Sequence, residues 1–173
     1  MQFQTSLFAL LPFVAAAMAD YNSVSSNIAA VNSAVVSLNN QLWSSNVATY
    51  SGALGVDSAA KALSNKLNTA ATETNKESVF AVAPSNLLVE AVQNMYPSVK
   101  NATQRVAALE PTFKRMGVAG IAKSDVAKLK GSTSAFAASL VQCTPTENRA
   151  QASSLANAFN AAMASALAAY ASD

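Results

Sequence analysis

Residues 24–42 read VSSNIAAVNSAVVSLNNQL, and their large apolar side chains recur at alternating steps of four and three residues. The residues in this spacing are Val24, Ile28, Val31, Val35, Leu38 and Leu42. Such a repeat draws one apolar stripe along an α-helix, whereas a β-strand requires a repeat of two. Serine and asparagine, which are weak helix formers, fill many of the other positions. We therefore predict a helix that is stable only when other helices cover its stripe.

The middle of the chain continues with two further helical segments. Residues 44–55 are predicted to form a loop, because glycines at 52 and 55 suit backbone turns, and a second helix is predicted from about Asp57. The apolar residues 79–83 have no partner strand in this pattern, so they are predicted to form a buried connector. Pro84 then opens a third segment, where proline suits the first turn of a helix.

The third segment contains two prolines before a terminating glycine. Pro97 and Pro111 each remove a backbone donor, so the segment is predicted to be either two helices or one long kinked helix. Gly117 is predicted to end it, because glycine is the usual residue just past a helix C-terminus.

Two start signals mark the last third of the chain. A loop over residues 117–123 is predicted to lead to Ser124 as a helix N-cap. Residues 144–147 read TPTE, which matches a capping box with a proline in the first turn. The sequence therefore predicts an all-α fold, a single-domain antiparallel bundle of about five to six helices over residues 20–173.

The first nineteen residues resemble a secretory signal peptide. Residues 7–18 are apolar apart from one proline, and Ala17-Met18-Ala19 is a small-x-small cleavage site before Asp20. The alternative is a membrane anchor, but the run is short for a bilayer span. We predict cleavage after Ala19 and a secreted, extracellular protein with no transmembrane segment.

Composition argues against several functional classes. The net charge is only +2, which does not predict nucleic-acid binding. The chain contains no histidine, so the usual catalytic base and the commonest metal ligand are missing. No phosphate-binding loop, nucleophile elbow or metal signature is present, and the carboxylates are scattered along the chain. We therefore predict no enzyme, no metal and no cofactor.

Single residues leave several alternatives open. The lone Cys143 is either a buried thiol or a partner for an intermolecular disulfide. Trp43 and Tyr50 form either an exposed aromatic contact or a core plug. Asn101 begins an Asn-Ala-Thr glycosylation sequon. A group of basic residues is either a solvated face or a site that attracts an anionic head group; it comprises Lys114, Arg115, Lys123, Lys128 and Lys130.

The predicted apolar stripes mix alanine with large, flexible side chains. Such stripes pack either into a filled core or around a deformable apolar cavity between helices. If the cavity exists, we predict that its lining includes the following residues: Leu63, Leu67, Leu88, Val92, Met95, Val106, Leu109, Phe113, Phe136, Leu140, Phe159 and Met163.

These patterns resemble the fungal hydrophobic surface binding protein A family, which is similar to the cell-wall galactomannoproteins. The resemblance rests on the early helix, on the stretch LEPTFKRMG at residues 109–117, on the Val126/Leu129 helix, and on Phe159 and Met163 in the last helix.

The resemblance implies a secreted glycoprotein that binds a fatty acid or similar apolar ligand between its helices. It also implies the alternative of adsorption to hydrophobic surfaces with recruitment of lytic enzymes. A structural cell-wall protein is a further alternative. The expected partners are thus an apolar ligand or surface, with possible cell-wall association.

Overall fold

The computed structural model describes the backbone of residues 11–172 and the side chains of residues 21–172. Its six helices are α1 (Leu11–Leu42), α2 (Tyr50–Thr74), α3 (Val82–Ala108), α4 (Glu110–Arg115), α5 (Ala119–Cys143) and α6 (Thr146–Ala169). No strand occurs among the described residues, so the all-α prediction is confirmed. Residues 1–10 of the predicted signal peptide, and the side chains up to residue 20, lie outside the described part. Cleavage after Ala19 stays a prediction.

The five long helices form a closed ring. Around this ring α1 packs on α2, α2 on α5, α5 on α6, α6 on α3, and α3 on α1. Successive long helices run in opposite directions, as the bundle prediction requires. Helices that are neighbours in the ring but not successive in the sequence are parallel. In α2 and α5, for example, the Ser64 and Ser132 hydroxyls lie 2.8 Å apart, and farther along the Cys143 thiol donates to the Thr74 carbonyl.

The stripe of α1 faces the interior of this ring. All six of its large apolar side chains, from Val24 to Leu42, are buried in the core. Burial of a Val, Leu or Ile side chain contributes about 1.5–3 kcal/mol, which stabilises a helix whose polar residues contribute little propensity. None of the described helices combines the length and the apolarity needed to cross a bilayer.

The predicted start of α2 at Asp57 is wrong, because the helix begins at Tyr50. Thr49 caps it, and its hydroxyl accepts a hydrogen bond from the Gly52 amide at 3.1 Å. Gly52 is needed for close approach rather than for a turn. A Cβ at this position would lie 2.0 Å from the Asn46 carbonyl oxygen. The loop predicted over residues 44–55 therefore ends at Thr49, several residues earlier than expected.

The predicted cap of α5 at Ser124 is also wrong, because the helix begins at Ala119. Gly117 adopts a left-handed φ of 74° and ends the preceding helical turn, as expected. The chain re-enters helical geometry almost at once, so the predicted loop over residues 117–123 does not form. Ser124 lies more than one turn inside α5.

The predicted capping box before α6 does not form either. The Thr144 hydroxyl instead donates to the Leu140 carbonyl at 2.6 Å, and Thr144 closes the end of α5. Pro145 is the N-cap of α6 and gives no side-chain hydrogen bond. The Thr144 hydroxyl is therefore directed toward the preceding helix rather than toward the first turn of α6.

The segment around the prolines combines the two predicted alternatives. α3 continues through Pro97 as a single helix, and a separate short helix, α4, carries Pro111 in its first turn.

The prediction that residues 79–83 form a buried connector is wrong for most of them. Phe80 is buried and its amide donates to the Cys143 carbonyl at 2.9 Å, but Val79 and Val82 are exposed.

Candidate ligand-binding site along the axis of the helical ring

Four cavities follow one another through the interior of the ring, and each shares lining residues with the next. We name three of them after a lining residue and one after its position: the Ser85 cavity, the central cavity, the Asp125 cavity and the Tyr50 cavity. Together they form the axial series. The shared residues are Val92 and Phe159 at the first junction, Leu38, Ala102 and Met163 at the second, and Val56, Ala122 and Asp125 at the third.

The central and Asp125 cavities lie on the axis itself, because each is lined by α1, α2, α3, α5 and α6. Residues of all five helices line the central cavity: Val31, Val35, Leu38, Leu63, Leu67, Val92, Met95, Val99, Ala102, Thr133, Phe136, Phe159 and Met163. A ring of five helices leaves a gap at its axis unless large side chains fill it, and here residues as small as Ala102 face that gap.

The space along the axis of the ring is continuous but narrow. The cavity volume is about 40 Å³ in the central cavity and about 40 Å³ in the Asp125 cavity, and nearly all of the lining is apolar. A volume of this size holds only a few water molecules, so an alkyl chain fits only after side chains move. Met95 and Met163 line the central cavity, and methionine adapts easily to a new neighbour. The site can therefore widen around an inserted alkyl chain.

The residues predicted to contact a ligand fall into three places. Seven line the central cavity: Leu63, Leu67, Val92, Met95, Phe136, Phe159 and Met163. Leu88 and Leu140 line the Ser85 cavity, whereas Val106 lines the Asp125 cavity. Phe113 lines the Tyr50 cavity, and Leu109 is buried in the core without lining any of these four cavities. Contact with a ligand stays a prediction for all of them.

Sequence reasoning missed the charged group in this lining. Asp125 is only 7% exposed and lines both the Asp125 cavity and the Tyr50 cavity. A signal was present, since Asp125, Leu129, Ser132 and Phe136 are spaced by four, three and four residues, which places the carboxyl on the buried stripe of α5.

A second carboxyl group from α2 meets Asp125. Asp57 lies close enough to Asp125 to affect its ionisation, and it forms an ion pair with Lys61 at 2.8 Å. Burial, followed by the hydrogen bond and negative charge of Asp57, raises the pKa of Asp125 to about 6. The Lys61 ammonium instead lowers the pKa of Asp57. The expectation of scattered carboxylates thus missed a pair that is distant in sequence but close in space.

The opposite end of the axial series carries neutral hydroxyl groups. Ser85, which is 1% exposed, and Thr144 both line the Ser85 cavity among apolar side chains. Thr144 donates its proton to a backbone carbonyl, and its oxygen retains acceptor capacity. This end therefore offers uncharged hydrogen-bonding groups to whatever occupies the cavity.

Trp43 and Tyr50 are exposed, which decides between the two predicted alternatives. The side chains are 63% and 61% exposed, respectively. The guanidinium carbon of Arg105 lies 4.6 Å from the centre of the Trp43 ring, and Arg105 also donates to the Leu42 carbonyl at 3.1 Å. Leu54 and Ile121 are exposed as well and, with Tyr50, line the Tyr50 cavity. This end of the bundle thus presents an apolar and aromatic surface.

The remaining predicted residues lie away from the axial series. Cys143 is buried, as one alternative predicted, and burial raises the pKa of its thiol. Asn101 is exposed on α3, and its glycosylation stays a prediction. The basic group lies at exposed and half-buried positions, where Lys114 pairs with Glu110 at 3.6 Å. Within the described side chains, no group of three or more His, Cys, Asp or Glu residues is arranged to hold a metal ion.

The geometry defines an all-α bundle with an apolar axial cavity. Residues 16–142 match the family model described as Hydrophobic surface binding protein A. The match spans most of the sequence, so the chain belongs to this family. No match was found among curated proteins.

Solved structures share the fold at low sequence identity. AFMP4P in complex with palmitic acid is 18% identical, with a TM-score of 0.82 and coverage of 87% of this chain and 99% of that one. Ligand binding domain 1 of the Penicillium marneffei MP1 protein, complexed with arachidonic acids, is 14% identical, with a TM-score of 0.82 and coverage of 88% and 99%. Domain 2 of MP1 is 14% identical, with a TM-score of 0.79 and coverage of 89% and 94%. These structures support the all-helical fold over nearly the whole chain.

Proposed function

We propose that this protein binds a fatty acid or similar single-chain lipid in its axial series, without catalysing a reaction. The observation that carries the proposal is the apolar gap lined by all five long helices. Burial of the ligand there contributes about 25 cal/mol of binding free energy for each Å² of apolar surface removed from water, before the costs of binding. AFMP4P with palmitic acid and the MP1 domains with arachidonic acids share this fold, which supports the proposal.

The predicted lining residues take part in this proposal to different degrees. Phe136, Phe159 and Met163 line the central cavity and are proposed to contact the alkyl chain directly. Phe113 lines the Tyr50 cavity at one end of the series and is proposed to contact only a ligand that extends that far. A ligand would enter through side-chain movement, because the cavities are narrow.

A matched pair of substitutions on α3 tests the proposal. Ala102 lines both axial cavities, whereas Ala91 lies exposed on the same helix. Ala102→Leu adds three carbons at the axis and is expected to weaken palmitate binding by at least about tenfold, because the added side chain occupies space needed by the ligand. Ala91→Leu makes the same change outside and should leave the affinity unchanged.

The measurement is a palmitate titration of both variants and the wild type by isothermal calorimetry. Circular dichroism checks that each variant is folded. Equal affinities for all three proteins would place the ligand elsewhere, and saturable binding to none of them would overturn the lipid-binding proposal.

Adsorption to hydrophobic surfaces is a second proposed function, favoured by the exposed side chains at one end. The exposed apolar residues at the end of the bundle near the Tyr50 cavity are Trp43, Tyr50, Leu54 and Ile121. Tyr50→Ser combined with Leu54→Ser should reduce adsorption to polystyrene beads, because it removes exposed apolar surface. Unchanged adsorption would exclude this end as the contact surface. Secretion, recruitment of lytic enzymes and a structural role in the cell wall stay predictions.

A further inference from the structure

The two ends of the axial series differ in charge. Asp125 is the one charged side chain among the described residues that line the central and Asp125 cavities. The Ser85 cavity, at the other end, offers the hydroxyl groups of Ser85 and Thr144 instead. Asp125 and Thr144 lie near opposite ends of α5, about 28 Å apart at 1.5 Å of rise per residue. A molecule lying along the axis therefore meets an acidic end and a neutral end.

The charged groups around Asp125 do not cancel its charge. From α2, Asp57 contributes a second carboxylate and Lys61 an ammonium group, and these two are paired with each other at 2.8 Å. From α5 itself, Lys128 contributes a more distant charge at an exposed position. The side chains that α1, α3 and α6 contribute to the Asp125 cavity are uncharged. At neutral pH the acidic end therefore keeps negative charge inside an apolar lining.

The difference in charge between the two ends favours one orientation of an anionic ligand over the other. A carboxylate placed beside ionised Asp125 would be repelled in a poorly solvated site, where like charges interact strongly. The same carboxylate at the Ser85 end would meet no charged side chain, and the Ser85 hydroxyl can donate a hydrogen bond to it. We propose that Asp125 orients an anionic amphiphile in the axial series, with its carboxylate at the Ser85 end and its alkyl tail toward Asp125. This inference rests on the proposed binding of a fatty acid.

The lone tryptophan provides a reporter of this direction. Trp43 directly follows Leu42, which lines the Asp125 cavity, so its fluorescence senses a quencher at that end. Stearic acids with a nitroxide at carbon 5 or at carbon 16 carry the quencher near the head or near the tail. At pH 7.5 the tail-labelled acid is expected to quench Trp43 at saturation about twofold more than the head-labelled acid, because one of two orientations is favoured.

Two variants separate orientation from a general effect of charge. Asp125→Asn keeps the shape of the side chain but removes the charge, so the quenching ratio should fall toward one. Glu90→Gln removes an exposed acid on α3 and should leave the ratio unchanged. Circular dichroism confirms the fold of each variant.

Each other outcome contradicts the inference. Equal quenching by the two labelled acids, or stronger quenching by the head-labelled one, in the wild type would overturn it. A ratio in Asp125→Asn equal to that of the wild type would show that Asp125 does not set the direction. Saturable binding of both acids in these cases leaves the fatty-acid proposal standing. Absence of saturable quenching, together with absence of calorimetric binding, would overturn both proposals.

Discussion

The start of α2 and the axis of the ring are packed in opposite ways. At the start of α2, Gly52 lies so close to the Asn46–Val47 backbone that a single added carbon would overlap it. On the axis, the five helices leave two apolar cavities of about 40 Å³ each. Interiors that are close-packed resist changes in volume, whereas cavities tolerate them. We infer that the first region maintains the fold and that the second is available for a ligand.

The largest expected effect comes from adding a methyl group at the tightly packed position. Gly52→Ala should lower the free energy of unfolding by about 2–4 kcal/mol, because the Cβ would displace the loop backbone from α2. Urea denaturation of wild type and variant measures the difference. The fraction that remains folded should bind palmitate as the wild type does.

A second glycine provides the matched control for this substitution. Gly131 lies within α5, and nothing lies within 4 Å of a Cβ added there. Gly131→Ala should therefore raise the free energy of unfolding by about 0.5–1 kcal/mol through helix propensity. If both glycine variants changed stability in the same direction, the contrast between the tight and open positions would be wrong.

A smaller effect is expected from the buried carboxyl at the end of the axis. The pKa of Asp125 is about 6 in the folded protein, against an ordinary value of 3.8. The folded state therefore binds more protons between these values, so this group makes stability fall as pH rises from about 4 to about 6. The lowered pKa of Asp57 acts in the opposite direction, since it adds stability as that carboxyl ionises.

Asp125→Asn isolates the Asp125 contribution. The variant should gain about 1–3 kcal/mol relative to the wild type on going from pH 4 to pH 7.5, because only the wild type must ionise a buried group. Urea denaturation at several pH values measures this gain. A stability difference that stays constant with pH would mean that Asp125 ionises like an exposed carboxyl.

The sequence predicted the helices well because their signal is local and repeated. The stripe from Val24 to Leu42 alternates at steps of four and three residues, and the structure buries every member of it. Helix starts were harder to predict. Thr144 had the right type and spacing for a capping box, but its hydroxyl bonds to the preceding helix instead. A cap depends on which of two neighbouring helices reaches the side chain, which a local pattern does not contain.

The site was only partly predictable for a related reason. Periodicity identified Phe136, Phe159 and Met163 as interior residues, and they do line the central cavity. Whether such residues fill the axis or surround a gap depends on the closure of the five-helix ring, which involves contacts distant in sequence. The same holds for Asp57 and Asp125, which meet only because α2 and α5 pack side by side in parallel.

The central claim is that the axis holds a single-chain lipid. Native mass spectrometry of the protein secreted by a fungal host, followed by solvent extraction and lipid analysis, tests it most directly. We predict a complex that is heavier than the polypeptide by the mass of about one fatty acid, with the lipid recovered in the extract. Protein that carries no lipid and stays unliganded after incubation with palmitic or arachidonic acid would contradict the claim, and surface adsorption would then be the leading function.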